Sequence, residues 1–192
     1  HNDMLTKENL NIGKYDIYDL NNPKFENINL NSYIKICVIR NPYERLISGI
    51  RQRSSFLVNE LKWIDVSKNT ITEFLHNLKT HDYIEDHFQP QTNNINNFKF
   101  DHVFSLDQME KLYKIIEIPY VKEKISNHST KYNDNIKVNY YSLTILDICS
   151  KINEWSPNIN SWFTQDNIEL INELYKDDFE WLSKNGFDYL IC

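Results

Sequence analysis

Apolar residues recur along the chain with two spacings, one typical of buried strands and one typical of amphipathic helices. Residues 33–39 (YIKICVI) form a short, β-branched and nearly continuous apolar run, which predicts a strand buried on both faces of a parallel sheet. The run ends at Arg40, Asn41 and Pro42. Because Asn favours the N-cap and Pro the first helical position, a helix is predicted from here to about Val58.

Three further helices are indicated by helical spacing and by local start and stop signals. They are predicted over residues 70–79, 143–155 and 165–183. Thr70 and Glu73 form a capping box at the start of the first of these helices. Thr164 is the expected N-cap of the last one, and Gly186 is expected to end it.

A second strand is predicted over residues 98–106, where apolar and polar positions alternate. Asp107 and Glu110 are expected to cap a short helix after it, and the Asn-rich residues 91–97 to form a loop. Strands thus alternate with helices, and no Pro/Gly/Ser-rich linker divides the chain. The pattern predicts one α/β domain over residues 1–192, with a small parallel sheet flanked by several helices and a weakly patterned segment over residues 1–31.

The helix after the first strand has two chemically different faces. Its apolar stripe consists of Tyr43, Leu46, Ile47 and Ile50. A second face carries Arg45, Ser48 and Arg51 at three-residue spacing. We therefore predict that one face packs in the core and the other binds a ligand.

The charge pattern places a candidate anion site at this helix. The 192 residues include 27 acidic and 21 basic side chains, and the net charge of −6 argues against a nucleic-acid-binding surface. All four arginines nevertheless lie within residues 40–53. Arg at the carboxyl end of a strand, next to a helix N-terminus, is suited to phosphate or sulfate, with Ser48 as a hydroxyl donor. The alternative is a surface salt-bridge face, for which only Glu44 lies among the arginines.

Cysteine content and hydropathy bear on the compartment. The three cysteines lack metal-ligand spacing, and their odd number does not suggest a disulfide framework, which favours a reducing compartment. No run of about 18 apolar residues predicts a membrane helix. We expect a cytoplasmic protein. The first residue, His1, suggests a processed chain or a fragment. The family resemblance given below implies the Golgi lumen as the alternative compartment if an upstream anchor was removed. The oligomeric state is left open.

Several segments resemble sulfotransferases. Residues 38–49 (VIRNPYERLISG) closely resemble the family's 3′-phosphate-binding motif. Residues 87–91 (HFQPQ) are similar to the His-aromatic-x-Pro-Gln element of the carbohydrate-type, membrane-associated members. Similar elements follow in family order: a strand with an acidic helix start at residues 103–110, Asn-x-Ser at residues 127–129, and Leu-Tyr-x-x-Asp-Phe at residues 174–179.

The resemblance implies a P-loop-like sulfotransferase fold that binds 3′-phosphoadenosine 5′-phosphosulfate. It also implies transfer of the sulfuryl group to an acceptor hydroxyl, typically on a glycan, without a metal ion. Arg40 and Ser48 would contact the 3′-phosphate, with Arg45 nearby and mainly supporting the loop. His87 would be an acceptor-side or catalytic residue. From the residues alone, His87 lies in a Pro-containing loop beside acidic side chains, where a structural role is the alternative.

One family element has no counterpart in this sequence. Sulfotransferases carry a Gly/Ser/Thr- and Lys/Arg-rich turn that wraps the 5′-phosphosulfate. Before Tyr33 the only glycine is Gly13, whose flanking residues do not fit, and we expect this turn to lie upstream of His1. Two alternatives therefore remain: a non-catalytic nucleotide- or glycan-binding module that keeps only the 3′-phosphate site, and a related fold with different phosphate chemistry. A purely structural interaction protein would leave the clustered arginines unexplained.

Overall fold

The computed structural model describes residues 32–52, 68–80, 86–95, 98–117, 135–151 and 158–191. In chain order the elements are β1 (Ile36–Ile39), α1 (Pro42–Gln52), α2 (Ile71–Thr80), α3 (Thr92–Ile95), β2 (His102–Ser105), a 3-10 helix (Leu106–Gln108), α4 (Met109–Ile115), a second 3-10 helix (Tyr140–Ser142), α5 (Ile145–Lys151), α6 (Ile159–Trp162), α7 (Gln165–Leu174) and α8 (Lys176–Lys184). None of these helices is both long and apolar enough to cross a membrane.

The two strands form a small parallel sheet, as predicted, although both are shorter than their predicted spans. Ile39 pairs with Ser105 at the carboxyl end. The prediction that β1 is buried on both faces is wrong, because Val38 is 41% exposed. The buried residues of β1 are the ones that α8 covers. Leu182 of α8 packs in one cluster with Cys37 and Ile39.

Helix α1 begins where the Asn-Pro signal predicts. The Asn41 Oδ1 accepts the backbone N–H of Tyr43 at 3.0 Å, which satisfies a donor that the helix start leaves open. All four residues of the predicted apolar stripe are buried. The predicted continuation to about Val58 lies outside the described residues after Gln52.

The capping predictions for α2 and for the C-terminal helices are confirmed. Thr70 and Glu73 exchange the two bonds of a capping box at 2.7 and 3.4 Å. Thr164 accepts the N–H of Asn167 at 3.3 Å at the start of α7. Gly186, with φ of 85°, closes α8 through a Schellman motif in which Phe187 N–H donates to the Leu182 carbonyl at 3.0 Å.

Three sequence predictions need correction, and a fourth is tested only in part. The single helix expected over residues 165–183 is interrupted at Tyr175, whose φ of −112° and ψ of 26° are not helical. Residues 91–97 are not simply a loop, because Thr92–Ile95 is a short helix whose first N–H groups are held by a side chain. Asp107 lies inside a 3-10 helix instead of capping α4. The predicted helix over residues 143–155 is described only as Ile145–Lys151, and residues 152–157 lie outside the description.

The main core forms between α1, α2 and α7. Its largest fully buried side chains include Tyr43, Phe74, Phe88, Tyr140 and Trp162. Trp162 stacks on Tyr140 with ring centroids 4.0 Å apart, which accounts for this tryptophan as a core residue. Phe88 enters the core from the loop before α3 and meets Phe74 edge-on at 5.1 Å. Burial of Phe88 therefore fixes the loop at the residue that directly follows His87.

Gly49 allows α1 to approach this loop closely. A Cβ added at Gly49 would lie 2.7 Å from Cε1 of Phe88, a separation that real Cβ atoms do not show. Phe88 is itself buried, so its ring has little room to move. The glycine is required here by packing and not by backbone conformation.

Gly49→Ala is therefore expected to lower the free energy of unfolding by about 1–3 kcal/mol through overpacking against Phe88. Urea unfolding followed by circular dichroism measures this change. Ser183→Ala on the exposed side of α8 is the control, and it should have little effect. An alanine at position 49 that stabilises the protein would contradict the close contact.

Candidate functional site

The carboxyl ends of β1 and β2 meet at one edge of the sheet, where a cavity of about 280 Å³ opens. Arg40 follows β1 directly, and Ser105 is the last residue of β2. Open α/β sheets bind ligands at this edge because the loops there diverge. The described residues that line the cavity are Arg40, Asn41, Glu44, Ser105, Leu106, Asp107 and Tyr189.

Arg40 is the positive group of the cavity, and its guanidinium lies beside a carboxylate. Its Nε is 3.8 Å from Oε2 of Glu44, which lies in the first turn of α1. The side chain is 24% exposed, but Nε itself is buried and has no hydrogen-bond partner among the described residues. An oxyanion bound in place of the Glu44 carboxylate would satisfy this donor. Arg40 therefore fits an anionic ligand that competes with Glu44.

The opposite wall of the cavity contains hydroxyl and carboxylate groups. The Ser105 hydroxyl donates to the Asp107 carboxylate. Burial raises the pKa of the Tyr189 phenol; the neighbouring Ser105 hydroxyl opposes this shift, and the negative charges of Asp107 and Glu44 add to it. The phenol thus stays protonated at neutral pH. This wall suits the hydroxyls of a ligand, whereas only Arg40 suits its negative charge.

The other two predicted anion-binding residues on α1 have different positions. Ser48 is 9% exposed and lies one turn beyond Glu44 on the same helix face. It is not one of the described residues that line the cavity. Arg45 faces the loop before α3, where Nη2 donates to the Asp86 carbonyl at 2.9 Å and Nη1 donates to the Gln89 carbonyl. These contacts hold the loop before α3, and the role of Arg45 in cofactor binding stays a prediction.

His87 lies on the exposed turn between Asp86 and the buried Phe88. It is not among the described cavity-lining residues, so the structure does not place it beside Arg40 in a single pocket. Glu85, one of the two acidic residues beside His87 in the sequence, lies outside the described residues. The catalytic role of His87 therefore remains a prediction. Within the described part of the chain, no group of three or more His, Cys, Asp or Glu side chains is arranged to hold a metal ion.

Two residues of the C-terminal helices hold the loop that contains His87. Tyr175 donates its hydroxyl to the Phe88 carbonyl at 2.7 Å, and burial raises the pKa of this phenol although the charge of Arg45 opposes the shift. Asp178 is 1% exposed. Its carboxylate accepts the N–H of Gln91 at 2.9 Å, and both the N–H and the hydroxyl of Thr92 at 2.8 Å. Every one of these bonds joins residues far apart in sequence.

Gln91 connects this loop to the cavity. Its Oε1 accepts the backbone N–H of Arg40 at 3.0 Å, and its Nε2 donates to the Arg40 carbonyl at 2.9 Å. Neither Gln91 nor Asp178 was assigned a role from the sequence, although they lie in the motifs at residues 87–91 and 174–179. The available signal was Asp178 itself, a charged residue between the core positions Tyr175 and Phe179 of an apolar helix face.

Comparison with known proteins gives a family for this chain. A family model described as the sulfotransferase family matches residues 1–185 of the chain. No curated protein and no solved structure matches the chain significantly. The matched range contains both strands, the cavity-lining residues up to Asp107, and the loop with His87.

Asp178→Asn is expected to lower the free energy of unfolding by about 2–4 kcal/mol, because an amide NH₂ would face buried N–H donors. Thermal and urea unfolding measure the loss. The matched control is Asp177→Asn, an exposed carboxylate in the same first turn of α8, for which a change below about 0.5 kcal/mol is expected. Equal effects of the two substitutions would show that the three bonds to Asp178 add nothing beyond charge.

Proposed function

The chain belongs to the sulfotransferase family, and we propose that it transfers a sulfuryl group from 3′-phosphoadenosine 5′-phosphosulfate to a hydroxyl group of a carbohydrate. The observation that carries this proposal is Arg40, which lines a cavity at the carboxyl edge of the sheet and whose buried Nε has no hydrogen-bond partner among the described residues. The family match over residues 1–185 also supports one P-loop-like domain.

The donor's 3′-phosphate is proposed to bind Arg40. Arg40 is separated from α1 only by the N-cap Asn41, so the positive end of the helix lies near the guanidinium. Ser48 would contribute its hydroxyl from the next turn beyond Glu44, and Arg45 would act through the carbonyls of the loop. Binding requires Glu44 to leave the guanidinium. The two atoms of the pair are 3.8 Å apart and the Glu44 side chain is 50% exposed, so the interaction is weak and a phosphate can replace it readily.

The proposed reaction is an in-line displacement at sulfur. The bond from sulfur to the acceptor oxygen forms as the bond from sulfur to the donor's phosphate oxygen breaks, and 3′-phosphoadenosine 5′-phosphate leaves. His87 would accept the proton of the acceptor hydroxyl. Its exposure leaves it accessible to a large acceptor such as a glycan, and the bonds from Arg45, Tyr175 and Asp178 keep its loop in place.

Calorimetric titration tests the donor site by comparing 3′-phosphoadenosine 5′-phosphate with adenosine 5′-phosphate. The wild-type protein should prefer the former, and Arg40→Ala should weaken its binding about 10–100-fold through loss of a charge-assisted pair. Glu44→Gln should strengthen it by up to about fivefold, since the competing carboxylate is removed. Lys184→Ala, an exposed charge change on α8, is the control. Equal wild-type affinities for the two nucleotides would refute the site.

His87→Gln is expected to lower sulfuryl transfer about 10²–10⁴-fold while leaving the affinity for 3′-phosphoadenosine 5′-phosphate unchanged. Transfer of radiolabelled sulfate to a panel of glycan acceptors measures the rate, and titration measures the affinity. His76→Gln, which changes an exposed histidine of α2, is the control. Full activity of His87→Gln would exclude it as the base. Selective nucleotide binding without transfer by the wild-type protein would instead favour the non-catalytic binding module.

A further inference from the structure

The geometry points to Gln91 as a positioning residue for Arg40: its side-chain amide bonds both backbone groups of Arg40, the residue directly after β1. The inference rests on the proposed function, because it concerns how Arg40 is presented to a 3′-phosphate. Gln91 itself does not line the cavity described above. It would therefore act through Arg40 and not on the ligand.

The pairing of β1 with β2 ends at Ile39 and Ser105, and β2 then turns into a 3-10 helix. The Lys35 carbonyl bonds the β2 side, so by alternation along the strand the backbone groups of Arg40 face the other edge of β1, away from β2. The carboxamide of Gln91 uses its oxygen for the Arg40 N–H at 3.0 Å and its nitrogen for the Arg40 carbonyl at 2.9 Å. A strand backbone offers the same pair of groups, so Gln91 keeps Arg40 extended up to the N-cap of α1.

The position of Gln91 is fixed in turn from the opposite side. Its backbone N–H donates to the buried Asp178 at 2.9 Å, and the next residue, Thr92, bonds the same carboxylate. A continuous path of hydrogen bonds therefore leads from α8 through Asp178 and Gln91 to Arg40. The His87 loop and the anion-binding strand end are joined by this path.

Such fixation has a direct consequence for recognition. A guanidinium holds a phosphate through two parallel bonds, and these bonds depend on the angle at which the side chain leaves the backbone. If Arg40 could rotate at its φ and ψ, the guanidinium would spend less time in the binding orientation. Gln91 should therefore contribute to the preference for a 3′-phosphate and contribute little to contacts with the rest of the nucleotide.

The experiment uses Gln91→Glu and Gln91→Asn in the whole protein. The first keeps the shape but places a second acceptor against the Arg40 carbonyl, and the second shortens the side chain so that it no longer spans both groups. Gln165→Glu, an exposed substitution at the start of α7, is the charge-matched control. Affinities for 3′-phosphoadenosine 5′-phosphate and adenosine 5′-phosphate are measured by calorimetry, and folding is checked by thermal unfolding.

We expect both Gln91 variants to bind 3′-phosphoadenosine 5′-phosphate about tenfold more weakly, with affinity for adenosine 5′-phosphate changed less than about twofold. The same substitutions in an Arg40→Ala background should have no further effect, because Gln91 acts through Arg40. A merely structural role would instead lower affinity in both backgrounds. Amide hydrogen exchange at Arg40 should also accelerate in both variants, and this readout needs no ligand.

The outcomes separate the inference from the function on which it rests. A wild-type preference for the 3′-phosphate that persists in both Gln91 variants overturns the inference and leaves the proposed function standing. Equal losses for the two nucleotides, or equal losses with and without Arg40, also overturn it. A wild-type protein without any preference refutes the proposed function, and the positioning role falls with it.

Discussion

The buried carboxylate of Asp178 is the group on which the arrangement of the site depends. A carboxylate withdrawn from water is strongly destabilising unless donors replace its hydration. Here two backbone N–H groups and the Thr92 hydroxyl do so, and the first turn of α8 provides a favourable helix dipole. Because α8 also packs on β1 through Leu182, Asp178 links the loop before α3 to the sheet. Together with the bonds from Arg45 and Tyr175, it places the loop through residues distant in sequence.

Arg40 and Arg45 of the motif have different contacts, although the sequence alone does not distinguish them. Arg40 faces the cavity beside a competing carboxylate, whereas Arg45 holds two carbonyl oxygens of the loop. The planar fork of donors suits both tasks, since it matches two oxygens of a phosphate and can equally reach two separate backbone carbonyls. A lysine ammonium has no such fixed geometry. This explains the presence of arginine at both positions in a chain whose other basic residues are mostly lysine.

Features set by local chemistry were predictable, and features set by distant partners were not. The Asn41 cap, the Thr70 capping box and the Gly186 terminus each depend on residues within a few positions, so the sequence contains the full signal. The link from Asp178 through Gln91 to Arg40 joins residues 87 and 51 positions apart. Motif resemblance flagged these segments without revealing that they contact one another. Periodicity likewise gave the C-terminal helical region but not its interruption, because a change of dihedral angles at one residue leaves the apolar spacing intact.

An anion bound at the proposed site would gain little from the overall field. The chain carries a net charge of −6, and the described lining of the cavity contains the carboxylates of Glu44 and Asp107 beside the guanidinium of Arg40. Long-range repulsion would therefore oppose any anion, although salt weakens this repulsion. Under the proposed function, affinity would come from short, directional bonds that Arg40 makes in one orientation. A rigid backbone at Arg40 is worth most in such a site, because there the geometry of the guanidinium, and not the amount of positive charge, decides which oxyanion binds.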